Sequence, residues 1–474
     1  MVRPLLLAAA AVPLLALDLA AQPWSGVRPG VEPPDRSAVE SVSQPDIRID
    51  PPPTRGASPE RPTTAPMFAM RGGRPTLTLL DGNLTIQPVA RFDFDMGGYR
   101  DQPLSYNGRP PKFLDDTRAG VPAAGLNVRR ARVGLQGTFL RDFTYNFTWE
   151  FGQAPGSQFQ PVEFSRLFEL QAAYVGIPWV TPRIGAYTLM HSIQYSMSSF
   201  ERTFLEPASI VNVATSLASG DSRLAIGGEA RGDRWFAALY VSDGSTTVLN
   251  DGRQRGIVGR ATGLAVNERW AKLSIGLNAS VQFAPGTSGA PNVIRLRDYP
   301  EIRLDPTRLL DTGNIPAGQG WALGPEIQAL LGPVYIQSEW YAVRLDTTNG
   351  TGNRNFWGYY VDASLPLFGE PRRYDRLRGV FTRPRFEEVN PQAGQWGWLE
   401  FAARWSWLTL NDYPTRGGSQ GILGFALNWY PSPRLRATLQ YQVGDIRLQP
   451  GTSNSTTGAN RAFQSLGARV AFNW

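Results

Sequence analysis

Between residues 142 and 151 every second side chain is aromatic: Phe143, Tyr145, Phe147, Trp149 and Phe151 alternate with Asp142, Thr144, Asn146, Thr148 and Glu150. A strand turns successive side chains to opposite faces, so this period of two predicts a strand with one apolar and one polar face. Leu273, Ile275, Leu277, Ala279, Val281 and Phe283 repeat it against Lys272, Ser274, Gly276, Asn278, Ser280 and Gln282. Leu435, Ala437, Leu439, Tyr441 and Val443 do so against Arg434, Arg436, Thr438, Gln440 and Gln442. Sixteen such segments fit the chain, at 84–96, 126–138, 142–152, 166–176, 182–188, 222–231, 234–243, 254–266, 270–283, 320–332, 333–345, 354–365, 395–410, 420–430, 434–444 and 464–474. An even number lets an antiparallel sheet start and finish on one side and close, and a barrel of this size leaves an aqueous lumen. In a soluble sandwich each apolar face would pack on a second sheet. Repetition over the whole length, with Tyr, Trp and Phe at strand ends, favours lipid outside and water inside. The predicted fold is all-β, a 16-stranded antiparallel transmembrane barrel over residues 76–474.

The connections alternate in length, as an outer-membrane barrel requires. Long ones span 97–125, 189–221 and 284–319, and tight ones fall at Gly232-Asp233, Asn267 to Arg269 and Gly332-Pro333. Segment 366–394 is the exception: parity puts it on the short-turn, periplasmic side, and it carries six arginines. It reads as a charged, solvated turn; handing anions to a periplasmic partner is the other reading.

Two segments precede the alternating region. Arg3, the apolar run Leu5 to Leu17 and the small-residue exit Ala20-Ala21 predict a secretory signal over 1–21. That run is too short to span a bilayer and contains Pro13. Residues 22–75 hold twelve prolines and mixed charge, which predicts a disordered periplasmic linker; a partner ligand or a spacer across the cell wall would share that composition. At the other end Leu466, Ala468, Val470, Phe472 and Trp474 alternate to the last residue. This resembles the terminal signal that outer-membrane assembly machinery recognises, so the expected location is the bacterial outer membrane.

Composition changes the picture in two ways. With no cysteine, disulfides and thiolate metal sites are excluded, and no metal or cofactor is expected. The net charge of +7 is carried almost wholly by arginine, since Lys112 and Lys272 are the only lysines among 47 basic residues. Arginine-favouring base composition accounts for this as well as function does. The arginines are spread over strands with no basic tract, which argues against nucleic acid as a partner.

Several stretches support a family resemblance: Asn127-Val128-Arg129-Arg130-Ala131-Arg132-Val133-Gly134-Leu135, Ala173-Tyr174-Val175-Gly176, Phe200-Glu201-Arg202 and Gly369-Glu370-Pro371-Arg372-Arg373-Tyr374. Trp398-Leu399-Glu400-Phe401-Ala402-Ala403-Arg404-Trp405-Ser406, Leu410-Asn411-Asp412 and Asn428-Trp429-Tyr430-Pro431 continue it in order. Together they resemble the phosphate-selective porin O and P family. The resemblance implies a trimeric porin, a third extracellular loop folded into the lumen, and an arginine ladder conducting inorganic phosphate or other small anions. Arg202 matches the Glu-Arg of that inward loop. Strand parity adds Arg130, Arg132, Arg223, Arg231, Arg404 and Arg436 as luminal candidates, each of which could equally be a wall residue paired with an acid such as Glu229 or Glu400. Arg129 has the opposite parity to Arg130 and is expected at a rim or an irregularity. Guanidinium suits the task because it stays charged and offers a planar donor fork to oxyanions. The region around Met190, Ile193 and Gln194 departs from the family's lysine and serines, which puts phosphate specificity in question.

A general diffusion porin with little ion specificity shares every fold-level feature. A barrel enzyme of lipase type would have to use His191, the only histidine, beside Ser192; no nucleophile elbow or zinc-binding motif accompanies them.

Overall fold

The computed structural model describes residues 67–100, 123–152, 166–245, 254–287, 290–304, 308–451 and 459–474. The expected signal, and residues 22–66 of the expected linker, lie outside them. Sixteen wall strands stand where the alternation places them. The first half of the wall comprises β1 (Leu84–Arg100), β2 (Ala123–Phe139), β3 (Phe143–Glu150), β4 (Arg166–Tyr174), β5 (Val180–Tyr187), β6 (Arg223–Arg231), β7 (Trp235–Ser245) and β8 (Arg255–Asn267). The circuit continues through β9 (Ala271–Phe283), β10 (Ile315–Leu331), β11 (Val334–Thr347), β12 (Arg354–Phe368), β13 (Trp398–Asp412), β14 (Thr415–Ser432), β15 (Leu435–Leu448) and β16 (Ala459–Asn473). Each pairs antiparallel with its neighbour, and β16 closes on β1 from Phe472↔Phe92 to Leu466↔Gly98. Closure joins the last strand to the first, the condition for crossing lipid with strands.

The two faces separate as the period of two demands. On β9 Ile275 and Leu277 are exposed while Ser274, Asn278 and Ser280 are buried; on β16 Val470 and Phe472 face out and Arg469 and Ala471 face in. Exposed apolar side chains around the wall form the lipid face, with Trp179, Trp235 and Trp270 at the ends that carry the tight turns.

The ordered chain begins before the boundary set at residue 76. Phe68–Arg71 and Arg74–Leu79 form a hairpin that turns at Gly72 and Gly73, both at positive φ, and pairs with β1 through Leu77↔Ile86. Glycine is needed there because a Cβ disfavours that conformation.

The lumen is occupied. The connection 188–222 folds inward, carrying short helices α1 (Ile193–Ser196) and α2 (Ser209–Thr215). With 290–315 it builds an apolar cluster: Ile210, Val211, Val213 and Leu217 of the first pack with Ile294, Leu296, Ile302 and Leu310 of the second. Val343, Leu345, Phe356, Leu408, Ile422 and Ile446 of the wall complete it. Burial of this size holds both segments against the wall as a protein core would.

Segment 366–394 corrects its reading as a solvated turn. Arg372, Val380, Phe381 and Arg383 are buried, and the small hairpin Arg373–Asp375/Val380–Thr382 sits inside the wall. Arg260 donates to the carbonyls of Arg378 and Gly379 at 2.7 and 2.9 Å, and Phe381 packs on Tyr335 with ring centroids 5.4 Å apart. Its length reflects a third inward segment: Arg372 and Arg383 are buried against Glu400 and Glu201, while Arg373, Arg376 and Arg385 stay exposed as a charged turn would have them.

Candidate functional site

The tip of the first inward segment, Ser199 to Thr203, is held by wall arginines acting on its backbone and side chains. Arg436 donates to the carbonyls of Phe200 and Arg202, each at 2.8 Å, and Tyr430 adds a third bond, 2.9 Å to Phe200. Arg91 donates to Ser199 Oγ at 2.8 Å. From the periplasmic side Arg383 pairs with Glu201 at 3.0 Å and Arg372 reaches the Glu201 carbonyl at 3.0 Å. Arg372 also makes a bidentate pair with Glu400 at 2.6 and 2.7 Å. Charge-assisted bonds of this kind are the strong ones, so the tip is fixed from two sides.

Each residue nominated from sequence lies on the luminal side, in differing roles. Arg130 pairs with Asp93 at 2.7 Å. Arg132 pairs with Glu150 at 2.5 Å and lies over the Phe168 ring. Arg404 makes a bidentate pair with Asp362 at 2.6 and 2.8 Å and reaches Glu301 at 3.3 Å. Arg231 donates to Thr181 Oγ1 at 2.9 Å. Arg223 caps α2: it donates to the carbonyls of Ser216, Leu217 and Ser219 at 3.0–3.3 Å, where a cation also meets the helix dipole. Arg202 donates Nε to the Gln194 carbonyl at 2.7 Å and stacks near Tyr195, with no carboxylate of the described residues in ion-pair reach. Burial pulls it down to about 10, which leaves it charged at working pH.

Arg129 reaches the lumen despite its parity. The β1–β2 register steps from Asp93↔Arg130 to Phe94↔Val128, so Arg129 is the extra residue of a bulge, and its guanidinium makes a bidentate pair with Glu206 at 2.8 and 3.0 Å. A bulge re-aims a side chain in this way. Parity would also have found Arg91, Arg260 and Arg469, which oppose Phe92, Ala261 and Val470. Arg303, Arg372 and Arg383 lie on connections, where parity carries no meaning.

His191 and Ser192 do not form a hydroxyl–imidazole pair. His191 Nδ1 lies 3.0 Å from Ser219 Oγ, while Ser192 Oγ accepts from the Tyr195 amide and caps α1. Burial, with Arg260 nearby, pulls His191 down to about 3.

The walls differ in charge. Among the described side chains, β15, β16, β1 and β2 bring Arg436, Arg469, Arg91, Arg129, Arg130 and Arg132 to the lumen against Asp93 and Asp95. Strands β8 to β13 bring Arg260 and Arg404 against Glu326, Glu339, Asp362 and Glu400; Arg354 there bonds the carbonyls of the 351–353 turn. The inward segments leave luminal groups partly open chiefly along β2 to β5: Arg129 (side chain 11% exposed), Arg166, Arg183, Tyr195, Asp221 and Arg303 (19%). Burial raises the Asp221 carboxyl, but Arg132, Arg202, Arg130 and Arg166 outweigh it and hold it below its usual range. These partly open groups form an arginine-rich strip beside a packed core.

A closed sixteen-stranded barrel with a lipid face and segments folded into its lumen has the architecture of a porin. The chain belongs to the family described as phosphate-selective porin O and P, whose family model matches residues 113–474. It is therefore a porin of the outer membrane. A curated relative in Caulobacter vibrioides, described as an uncharacterized protein, is 24% identical over 396 residues, covering 82% of this chain and 74% of the relative. Among solved structures the chain is similar to OmpT, an outer membrane protein of Vibrio cholerae (8% identity, TM-score 0.49, 84% of this chain and 99% of that one). It is also similar to the outer membrane channel DcaP of Acinetobacter baumannii (10%, 0.48, 83% and 98%). A third is an anion-selective porin from Comamonas acidovorans (12%, 0.47, 82% and 100%).

Proposed function

We propose that the protein conducts small anions, phosphate or related oxyanions among them, along the passage between the first inward segment and β2 to β5. The observation that carries this reading is the strip of partly open groups, Arg129, Arg166, Arg183 and Arg303, with buried Arg202 on the same inward segment lacking a carboxylate partner among the described residues. Cations at a low-dielectric constriction concentrate anions and repel cations. Several moderate sites allow an ion to leave as readily as it enters.

A second reading, a general porin of slight charge bias, draws on the ion pairs. Arg130, Arg132, Arg260 and Arg404 are each matched by a wall carboxylate, which removes much of their long-range field. Reversal potential in a planar bilayer under a KCl gradient separates the two. The anion reading expects a chloride-selective potential that Arg202→Ala moves toward zero; a nonselective or cation-selective conductance insensitive to that change leaves the general porin.

We also propose that the functional assembly is a trimer. Strands β3 and β5 have eight residues each against 14 to 18 in β10 to β16. At about 3.3 Å per residue and a tilt near 40°, eight residues rise roughly 20 Å, short of the roughly 25 Å apolar band. A neighbouring copy would cover this low wall, and the same recordings would then show three equal closing steps per insertion.

A further inference from the structure

Glu206, on the first inward segment, stands where four arginines converge. Arg129 of the β2 bulge grips it with Nε and Nη2 at 2.8 and 3.0 Å, and Arg469 of β16 donates to Oε1 at 2.8 Å. Arg303, from the second inward segment, stands 3.7 Å from Oε2, and Arg130 stands 4.0 Å from it. Three separate parts of the chain therefore aim guanidinium groups at one carboxylate.

The match is incomplete. Arg130 Nε and Arg303 Nε are buried with no hydrogen-bond partner, although buried donors are normally satisfied. A carboxylate presents about four acceptor sites in one plane; Arg129 and Arg469 fill two on Oε1 and one on Oε2, which leaves a single site for the two unpaired Nε donors. A tetrahedral oxyanion presents four oxygens in three dimensions, enough to meet the remaining forks. The donors thus outnumber what the resident carboxylate accepts.

We propose that these arginines form an oxyanion seat whose resident occupant is the chain's own Glu206, so that Glu206 is a tethered counter-ion that sets how weakly the pore holds a free oxyanion. Such a seat presupposes the anion passage proposed above. An ion entering from that passage must displace a carboxylate whose local concentration is fixed by the loop, and only a high concentration of free anion competes. The seat therefore favours throughput over retention: a transient visitor exchanges with Glu206 instead of being trapped. Burial would raise the Glu206 carboxyl, but Arg129, Arg303, Arg130 and Arg469 outweigh it and hold it well below the usual carboxylate range. The occupant is thus present throughout the working pH range.

The test compares wild-type protein with Glu206→Gln in planar bilayers, titrating sodium sulfate into KCl and reading the half-blocking concentration. Glu206→Gln keeps the shape and removes the charge, so the half-blocking concentration should fall by about tenfold or more, the value of one charge-assisted hydrogen bond regained by the visitor. Adding Arg129→Gln to that variant should return the block toward the wild-type value. Equal blocking in wild type and Glu206→Gln, or a gain that survives Arg129→Gln, overturns the seat. Should Glu206→Gln fail to fold, Glu206→Asp, charged but shorter, should lower the half-blocking concentration severalfold, and an unchanged value there overturns the seat as well. A cation-selective wild type overturns the anion passage and the seat with it, whereas equal sulfate block in an anion-selective wild type overturns the seat alone.

Discussion

The lumen has two halves built on the same strand geometry and used in opposite ways. Along β10 to β15 the inward-facing positions include Tyr341, Val343, Leu345, Phe356, Leu408, Ile422 and Ile446, and the inward segments pack on them with almost no exposed surface. Along β2 to β5 the inward-facing positions are polar, Arg132, Gln136, Asn146, Thr148, Glu150, Glu169 and Gln171, buried in hydrogen bonds and ion pairs instead of apolar contacts, and the proposed anion passage would run beside them. The outer face is apolar on both sides. Luminal chemistry therefore decides whether a barrel wall acts as a core or as a channel lining, while the lipid face is common to both.

Asp362 is where the packed half should be most vulnerable. Its carboxylate holds Arg404, Gln337 and Thr203 together, with bonds of 2.6–2.9 Å. Asp362→Ala leaves Arg404 buried beside Glu301 alone, and losing one partner of a buried pair costs about 3–5 kcal/mol. Urea unfolding of the reconstituted barrel should show that loss, and single-channel conductance should rise as the inward segment detaches and the packed half opens like the other. An unchanged urea midpoint would show that the segment is held by the apolar cluster alone.

An effect at the lower end of that range should come from pH, again on the packed side. His191 is fully buried and its folded value, about 3, lies below the ordinary 6.5, so its contribution is present above pH 6.5 and lost as pH falls toward 3. The sign follows because the unfolded chain binds the proton that the folded chain refuses. Wild type should lose about 1.4 kcal/mol per pH unit in that window relative to His191→Asn. Urea midpoints of the two proteins at pH 7 and pH 4 check this; parallel behaviour would mean that His191 does not sense acid.

The weakest response should come from the rim, outside both halves. Arg447 pairs with Asp445 at 2.6 Å, but both are exposed on the outer end of β15. Arg447→Ala should change stability by about 0.5 kcal/mol or less and leave the reversal potential alone. A shift in selectivity would extend the functional surface beyond the passage.

All sixteen wall segments were legible as alternation, because burial on one face and lipid on the other impose a period of two on each strand. The strand Phe68–Arg71 was not, since its proline-rich surroundings mask four residues with no alternation of their own; its partner Arg74–Leu79 shows the period only from Thr76, where the barrel was expected to begin. The first inward segment was expected through the family resemblance, but the further filling of the lumen was not, although a trace was present: Val343, Leu345, Ile422 and Ile446 are apolar where parity assigns water. Strand by strand they look only slightly irregular; together they form the floor of a core.

The barrel, its strand number, its facing and the set of arginines that parity turns inward were all written in the chain itself. These follow from local periodicity, which each strand carries alone. Tertiary structure decided which of those arginines meet a carboxylate, a carbonyl or open water, because a guanidinium's partner comes from another strand or from an inward segment far away in the chain. Arg129 joins the site only through a bulge created by pairing with β1, and Glu206 becomes its partner only when the loop folds back across the lumen.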